Sequence, residues 1–488
     1  MRKLFTAAIF LSVLQFGYGQ SMDLYVNWNK TIIVSKSTPT LQVVVNPMLR
    51  PGSPIYKGTF DALSGLGADY VRYVPWFPFP KLAVPELEPP GAGKTSWDFS
   101  LIDPMTIDLL NATKGHPVIL NFSTIPEWMF KTDKPVPYAD DLNKVDFEYS
   151  GGTQLKDTTL RELGEYFARI VSWYHNGGFT DEAGKYHKSG YHFPIPYWEV
   201  LNEPDLEHTT TIEDYTKRYD AIVKAIHKVS PETKFVGMAL ANSNDPHPFN
   251  YFLDPANHQP GTPIDMISYH FYAMAQPSAN FSDYQYSLFD KSDAFLNCVR
   301  YIESIRMKSA PDTKTDLDEL GTFVNVKLWN QPTPEKYWIA SGSVYAYLFV
   351  ELSKMGIDVI GESQLVGYPT QFPFVSMMDW TNGKPNARFW TLKLIKDNFS
   401  PGDTLVESYV TGAEGGDCTA QAFITKQGKK ILLCNKRDRV INVKLPPGYK
   451  GARIAVLDLS SGENAARQSQ ITDSTIALNP FQVSVISL

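Results

Sequence analysis

At 488 residues the chain is long enough for more than one domain, and 43% hydrophobic against 20% charged residues is a globular balance that excludes a disordered protein. Its 45 Lys and Arg against 52 Asp and Glu leave a formal net charge of −7. That argues against nucleic acid as partner, because such binding rests on cations neutralising phosphates. The three cysteines are too few for a disulfide scaffold or a soft-ligand metal site, so neither a metal nor a cofactor is expected.

The chain opens with Arg2 and Lys3, an apolar run over 4–14, and the small residues Gly17 and Gly19. Basic, apolar and small residues in that order read as an export signal over residues 1–19, and a secreted or periplasmic location is expected. The run is shorter than the roughly 20 apolar residues that cross a bilayer, and no later run is longer, so no membrane span is expected. Residues 23–36 read as a strand that joins the C-terminal sheet. From about 40 to 400, strand-like and helix-like segments alternate. Short β-branched or aromatic runs fall at 41–46, 70–76, 118–122, 197–202, 234–239, 264–270, 314–319 and 357–361. Between them lie helical patterns, the clearest carrying Leu160, Leu163, Phe167, Ile170, Val171 and Tyr174 at helical spacing. Others are expected at 58–66, 101–110, 212–229, 292–307, 334–355 and 386–396. Parallel strands need helical crossovers, so eight such units predict an α/β fold, a (β/α)8 TIM barrel over residues 40–400. Over residues 403–488 the pattern shortens to alternating segments split by Gln427-Gly428, Pro446-Pro447-Gly448 and Ser461-Gly462. That predicts an antiparallel β-sandwich domain. Cys418 and Cys434 flank a hairpin there and are candidates to pair; Cys298, in a helical stretch, is expected to be a buried thiol. Glycosylation sequons occur at Asn29, Asn111, Asn121, Asn280 and Asn398.

Asn202-Glu203-Pro204 ends the fourth strand. Proline cannot continue a strand ladder, so the strand stops and Glu203 is held at the C-terminal rim, where barrels place their reactive groups. A glycosidic bond is cut by two carboxyl groups, and a retaining pair stands about 5–5.5 Å apart. The seventh strand supplies Asp316-Leu317-Asp318-Glu319-Leu320-Gly321. Strict alternation puts Leu317 and Glu319 on one side and Asp316 and Asp318 on the other. Glu319, the last charge before Gly321 and Thr322, is the expected second carboxylate. Glu362, just after the eighth strand, is its rival, with substrate contact as its expected role. Aromatic residues make up 13% of the chain, and flat rings suit sugar faces although most serve packing. Trp128 and Trp380 are the candidates for stacking, and the insert at 132–158 is expected to wall the site.

These segments resemble clan A of the glycoside hydrolases, and within it family 39, which contains β-xylosidases and α-L-iduronidases. The resemblance is carried by Trp97-Asp98-Phe99-Ser100-Leu101-Ile102-Asp103, Pro117-Val118-Ile119-Leu120-Asn121-Phe122 and Ile125-Pro126-Glu127-Trp128. It continues through Glu199-Val200-Leu201-Asn202-Glu203-Pro204, Ser268-Tyr269-His270-Phe271-Tyr272 and Lys384-Pro385-Asn386-Ala387-Arg388. It covers most of the barrel, whereas the sandwich matches in architecture only. It implies Glu203 as general acid/base and Glu319 as the nucleophile of a covalent glycosyl-enzyme. Asn202 would bond the hydroxyl next to the anomeric carbon, His270 and Tyr272 would line the pocket, and Arg72 would orient the nucleophile or bind a hydroxyl. The expected activity is retaining, exo-acting hydrolysis of a carbohydrate; the alternatives are a non-catalytic carbohydrate-binding barrel and an endo-acting, heparanase-like hydrolase. Leu201 replaces the family's usual Trp, and Leu320-Gly321-Thr322 a more usual aromatic and polar run. Both changes are expected close to the pocket.

Overall fold

The computed structural model describes residues 22–275, 281–324, 333–412 and 415–488. The expected export signal and the Asn280 sequon lie outside the described residues. Eight strands form a closed parallel barrel: Thr38–Val44, Val71–Val74, Val118–Leu120, Tyr197–Glu199, Lys234–Leu240, Met266–Met274, Lys314–Phe323 and Val359–Glu362. They neighbour one another in chain order, and the eighth pairs in parallel with the first through Glu362 and Leu41. Each apolar run of the sequence became one of them, because strands covered by helices outside and side chains inside are buried on both faces.

The crossover helices include Tyr56–Leu66, Asp103–Ala112, Arg161–His175, Ile212–Val229, Tyr284–Ser309, Glu335–Met355 and Ala387–Asn398. Their ends follow local chemistry. Thr211 accepts the Asp214 N–H at one N-terminus, and Gly356, in the left-handed region at φ 79°, ends Glu335–Met355. The helix expected at 292–307 begins earlier, at Tyr284. Tyr284 and Leu288 are buried in the core, and that packing extends it through the charged pair Asp290 and Lys291.

Gly178–Thr180 with Tyr186–Lys188 makes a two-stranded hairpin, and nine further strands form one separate sheet. Met22–Val34 belongs to it, running antiparallel to Thr404–Thr411 from Asp23 opposite Thr411 to Val34 opposite Thr404. Val406, Ala420, Ile431 and Val443 fill the sandwich's own core, whereas Phe423, Leu432, Cys434 and Val485 join the barrel's. The Phe399 and Phe423 rings lie 4.3 Å apart at this seam, and Ser343 Oγ donates to the Asn435 carbonyl at 3.0 Å. The sandwich is thereby fastened to the helices that follow the seventh and eighth strands.

Cys418 and Cys434 are free thiols, not a pair. The antiparallel register sets Cys418 opposite Asn435 and Thr419 opposite Cys434, so the two sulfurs point to opposite faces of the sheet. Cys298 is half-buried rather than buried. Asn121 is fully buried and donates to Glu199, which makes it no glycan acceptor. Among the described residues, no helix is long and apolar enough to cross a membrane.

Candidate active site

The fourth strand delivers Glu203 to the rim as its motif requires. Glu203 sits in the left-handed region at φ 39° and caps the short helix Pro204–Glu207. Leu201 before it also has positive φ, at 65°. This local strain turns consecutive side chains apart. Leu201 packs into the helix-side core, Asn202 faces Arg72, and Glu203 faces the cavity.

Arg72 on the second strand is the hub. Its side chain is 1% exposed, and its guanidinium meets four carboxyl or amide partners beyond Glu199. Nη1 donates to Glu319 Oε1 at 2.6 Å and Gln42 Oε1 at 2.7 Å, and Nη2 to Asn202 Oδ1 at 2.7 Å. Nε lies 2.8 Å from Asp318 Oδ2 and also bonds Glu199. A planar fork with five N–H donors is the one side chain that holds so many acceptors in fixed directions. Tyr272 donates to the other oxygen of Glu319, Oε2, at 2.7 Å. His270 Nδ1 lies 2.9 Å from Glu203 Oε1 and 3.6 Å from Glu319 Oε2. One oxygen each of Glu203 and Glu319, together with a His270 nitrogen, lie within 4.8 Å of one another. That trio has the spacing of an ion site, but hydrogen bonds from His270, Arg72 and Tyr272 already account for its geometry.

The two carboxylates are pushed in opposite directions. Burial raises the pKa of Glu203, and the nearby Glu319 charge adds to this; the His270 bond only partly offsets them. Burial would also raise Glu319, but His270, Arg72 and Tyr272 together bring it below its ordinary value. For His270, burial is outweighed by the Glu319 and Glu203 carboxylates, and its pKa is raised. Glu203 is thereby biased toward its protonated form and Glu319 toward its ionised form, shifts in opposite directions for two neighbouring carboxyl groups.

Both open into a cavity of about 450 Å³, within the usual range of small-molecule sites. Its polar floor includes Asn202, Glu203, Tyr272 and Glu319, with Trp76, Phe147 and Phe372 around it. The Trp76 and Phe372 rings stack with centroids 6.5 Å apart, and Phe147 meets Trp76 edge-on at 6.3 Å. Phe147 and Ser150 come from the 132–158 insert, which does wall the site.

Several expectations are corrected. Glu319 does not share a side with Leu317. The seventh strand carries one extra residue between Asp316 and Glu319 relative to the sixth, a β-bulge that turns Asp318 inward to Arg72 and His270 while Leu317 joins the outer core. Glu362 is no rival and no substrate contact: it is 1% exposed, ion-paired to Arg388 Nε at 2.9 Å, and burial pushes its pKa up to about 7. Trp128 gives its N–H to the Glu86 carbonyl and does not reach the cavity wall. Trp380 gives its own to Gly367 and lines a separate cavity at the barrel–sandwich seam. Arg72 holds Glu319 from below and, fully buried, does not line the cavity. Leu201 and Leu320 are buried in the helix-side core and do not line the cavity, whereas Gly321 packs against the cavity residue Tyr272.

Sequence reasoning missed Glu199, Asp318 and Glu207. Glu207 lines the cavity and accepts from both Asn202 Nδ2 and Trp76 Nε1 at 2.7 Å, and burial raises its pKa well above the ordinary range. The readable signal for Glu199 was a charge inside a three-residue buried strand, which demands a partner.

Gly321 gives a local test. A Cβ there would stand 2.9 Å from Tyr272 Cε1, too close to stay. Gly321→Ala is expected to displace the Tyr272 hydroxyl from Glu319 and lower kcat about tenfold, since an ångström of misplacement costs about 100-fold. Unchanged kinetics would show that the Tyr272 contact is dispensable.

Residues 188–342 match the model of glycosyl hydrolases family 39. Over that stretch the chain is similar to glycoside hydrolase family 39. The match spans the fourth strand, both candidate carboxylates and the seventh strand, so the cavity belongs to a glycosidase. Residues 416–486 match the C-terminal immunoglobulin-like domain of D-apionate lactonase. Among solved structures, the glycosidase is similar to a glucosidase from Croceicoccus marinus at 15% identity and TM-score 0.61, covering 96% of this chain and 98% of that one. It is similar to a GH51 arabinofuranosidase from Xanthomonas axonopodis pv. citri at 12% identity and TM-score 0.63, covering 96% and 100%. It is also similar to a conserved exported protein from Bacteroides fragilis at 10% identity and TM-score 0.64, covering 96% and 100%. At such identities the likeness is one of fold. No curated protein matches the chain in sequence.

Proposed function

We propose that this family 39-like glycosidase is a retaining, exo-acting enzyme that works through a covalent glycosyl-enzyme, with Glu319 as nucleophile and Glu203 as acid/base. One observation carries the reading: two carboxylates of opposite pKa direction open into one cavity with oxygens within 4.8 Å of each other. An inverting pair must leave room for a water and stands about 6.5–9.5 Å apart.

Glu319 attacks the anomeric carbon while Glu203 gives its proton to the departing glycosidic oxygen. Glu203, now ionised, takes a proton from water, which displaces Glu319 and releases the sugar. Charge moves from Glu319 to Glu203 in the first step, and His270 Nδ1 faces both. A bounded cavity walled by Phe147 and Phe372 suits a chain end or a small glycoside better than the middle of a polymer. The residue order at 1–19 supports export, so the substrate would be met outside the cytoplasm.

The test is a panel of 4-nitrophenyl xylosides, arabinosides, glucosides and uronides, with the first-formed anomer read by proton NMR. The sugar is expected to appear with the substrate's own configuration. First appearance of the opposite anomer would overturn the retaining mechanism.

A further inference from the structure

Asp318 is 2% exposed, and the reaction just described does not use it. The bulge of the seventh strand turns it into the barrel beneath both carboxylates. Gly361 on the eighth strand makes room for that bulge, since a Cβ there would stand 3.1 Å from Asp318 Cα. Asp318 then faces three groups at once: Glu199, Arg72 and His270. Its Oδ2 is 2.8 Å from Arg72 Nε, and its Oδ1 stands in ion-pair contact 3.4 Å from His270 Nε2, a buried nitrogen that has no hydrogen bond among the described residues. The remaining contacts close a ring: Arg72 holds Glu319, and His270 Nδ1 reaches Glu203 and Glu319.

We propose that Asp318 is a positioning residue that anchors His270 Nε2, so that Nδ1 stays between Glu203 and Glu319 and serves whichever of them carries the negative charge. The inference rests on the roles assigned to those two glutamates. An imidazole turns about its Cβ–Cγ bond unless its far nitrogen is held, and the bond made by one ring nitrogen sets what the other can do. The charged groups facing His270 are Glu203 from the fourth strand, Glu319 and Asp318 from the seventh, and Arg72 from the second. Burial, with Glu199 and Asp316 nearby, raises the pKa of Asp318 well above its ordinary value, despite Arg72. That shift favours the neutral form of Asp318, which can face His270 without neutralising the imidazolium that the two glutamates require. An amide keeps one acceptor oxygen for His270 Nε2, while its NH2 group takes the place of the oxygen beside Arg72 and Glu199.

Asp318→Asn is therefore expected to keep kcat within about threefold of the parent. Asp318→Leu, which fills the space without an acceptor, is expected to lower kcat roughly 10–100-fold with little change in KM. It is also expected to move the alkaline limb of kcat/KM, which follows Glu203, to higher pH, because a His270 that is charged less of the time lowers the Glu203 pKa less. The rates are read on the aryl glycoside that the panel finds best. A second readout needs no substrate: the ring-nitrogen NMR shifts of 15N-histidine protein, with His270 assigned by its absence in His270→Asn. The His270 titration midpoint is expected above the ordinary value in the parent and Asp318→Asn, and lower in Asp318→Leu. Equal activity and equal midpoints in the Asn and Leu variants would overturn the inference. So would a folded Asp318→Asn as impaired as Asp318→Leu, because charge rather than an acceptor would then be what matters. Glu203→Gln and Glu319→Gln run alongside: full activity in either defeats the underlying assignment, whereas their inactivity with an unaffected Asp318→Leu defeats only this proposal.

Discussion

Glu319→Ala is expected to reduce hydrolysis of an activated aryl glycoside on the order of 10^5-fold, as removal of a nucleophile does in other covalent enzymes. Glu203→Ala is expected to behave differently. A good leaving group departs without proton assistance, so the first step survives and the glycosyl-enzyme accumulates. The second step loses its base, so kcat falls by about 10^2–10^4-fold and KM falls with it. The parent's pH profile follows from the same assignments. Activity rises as Glu319 ionises, on an acid limb below the usual carboxylate range, because His270, Arg72 and Tyr272 outweigh its burial. Activity falls as Glu203 loses its proton, on an alkaline limb above that range, because burial and Glu319 raise its pKa. The Glu203→Ala profile should lose the alkaline limb contributed by Glu203.

Arg72→Leu is expected to be the most destabilising single change in the barrel. Arg72 is fully buried against Glu199, Asp318 and Glu319, and its removal leaves buried carboxylates without their cation. Breaking a buried ion pair from one side costs about 3–5 kcal/mol. The loss should depend on pH in a defined direction. Without Arg72, the folded-state pKa values of Glu199 and Glu319 rise above their unfolded values, and that of Asp318, already raised, rises further. Such a group is accommodated below its unfolded pKa, and the stability it contributes is lost as pH rises through its folded pKa. The Tm deficit of Arg72→Leu should therefore be smaller in acid than at neutral pH. A Tm within a degree or two of the parent at neutral pH would contradict the hub role of Arg72.

Most of the barrel was legible because its physics is repetitive. A parallel strand needs a crossover, so the alternation of β-branched runs with amphipathic stretches names each strand in turn. Glu203 was legible because Pro204 ends the strand beside it. Asp318 was not, since alternation assumes an unbroken strand and one extra residue reverses every side chain after it. The available signal lay on the neighbouring strand, where Gly361 in an otherwise apolar run marks a close backbone approach. Trp128, Trp380 and Glu362 failed for another reason. They stand in or beside loops whose path depends on tertiary contacts, and each spends its polar atom on a local partner: Glu86, Gly367 and Arg388. The cysteines show what register adds, because two thiols on adjacent strands are one residue out of opposition and so lie on opposite faces.

The measurement that bears most directly on the paired roles of Glu203 and Glu319 is the anomeric configuration of the glycosyl azide formed when azide is added to each alanine variant. In Glu203→Ala, azide should attack the covalent glycosyl-enzyme and give a product with the substrate's configuration. In Glu319→Ala, azide should enter the space left by the missing carboxylate and give the opposite anomer. The same anomer from both variants, or rescue of neither, would contradict the assignment.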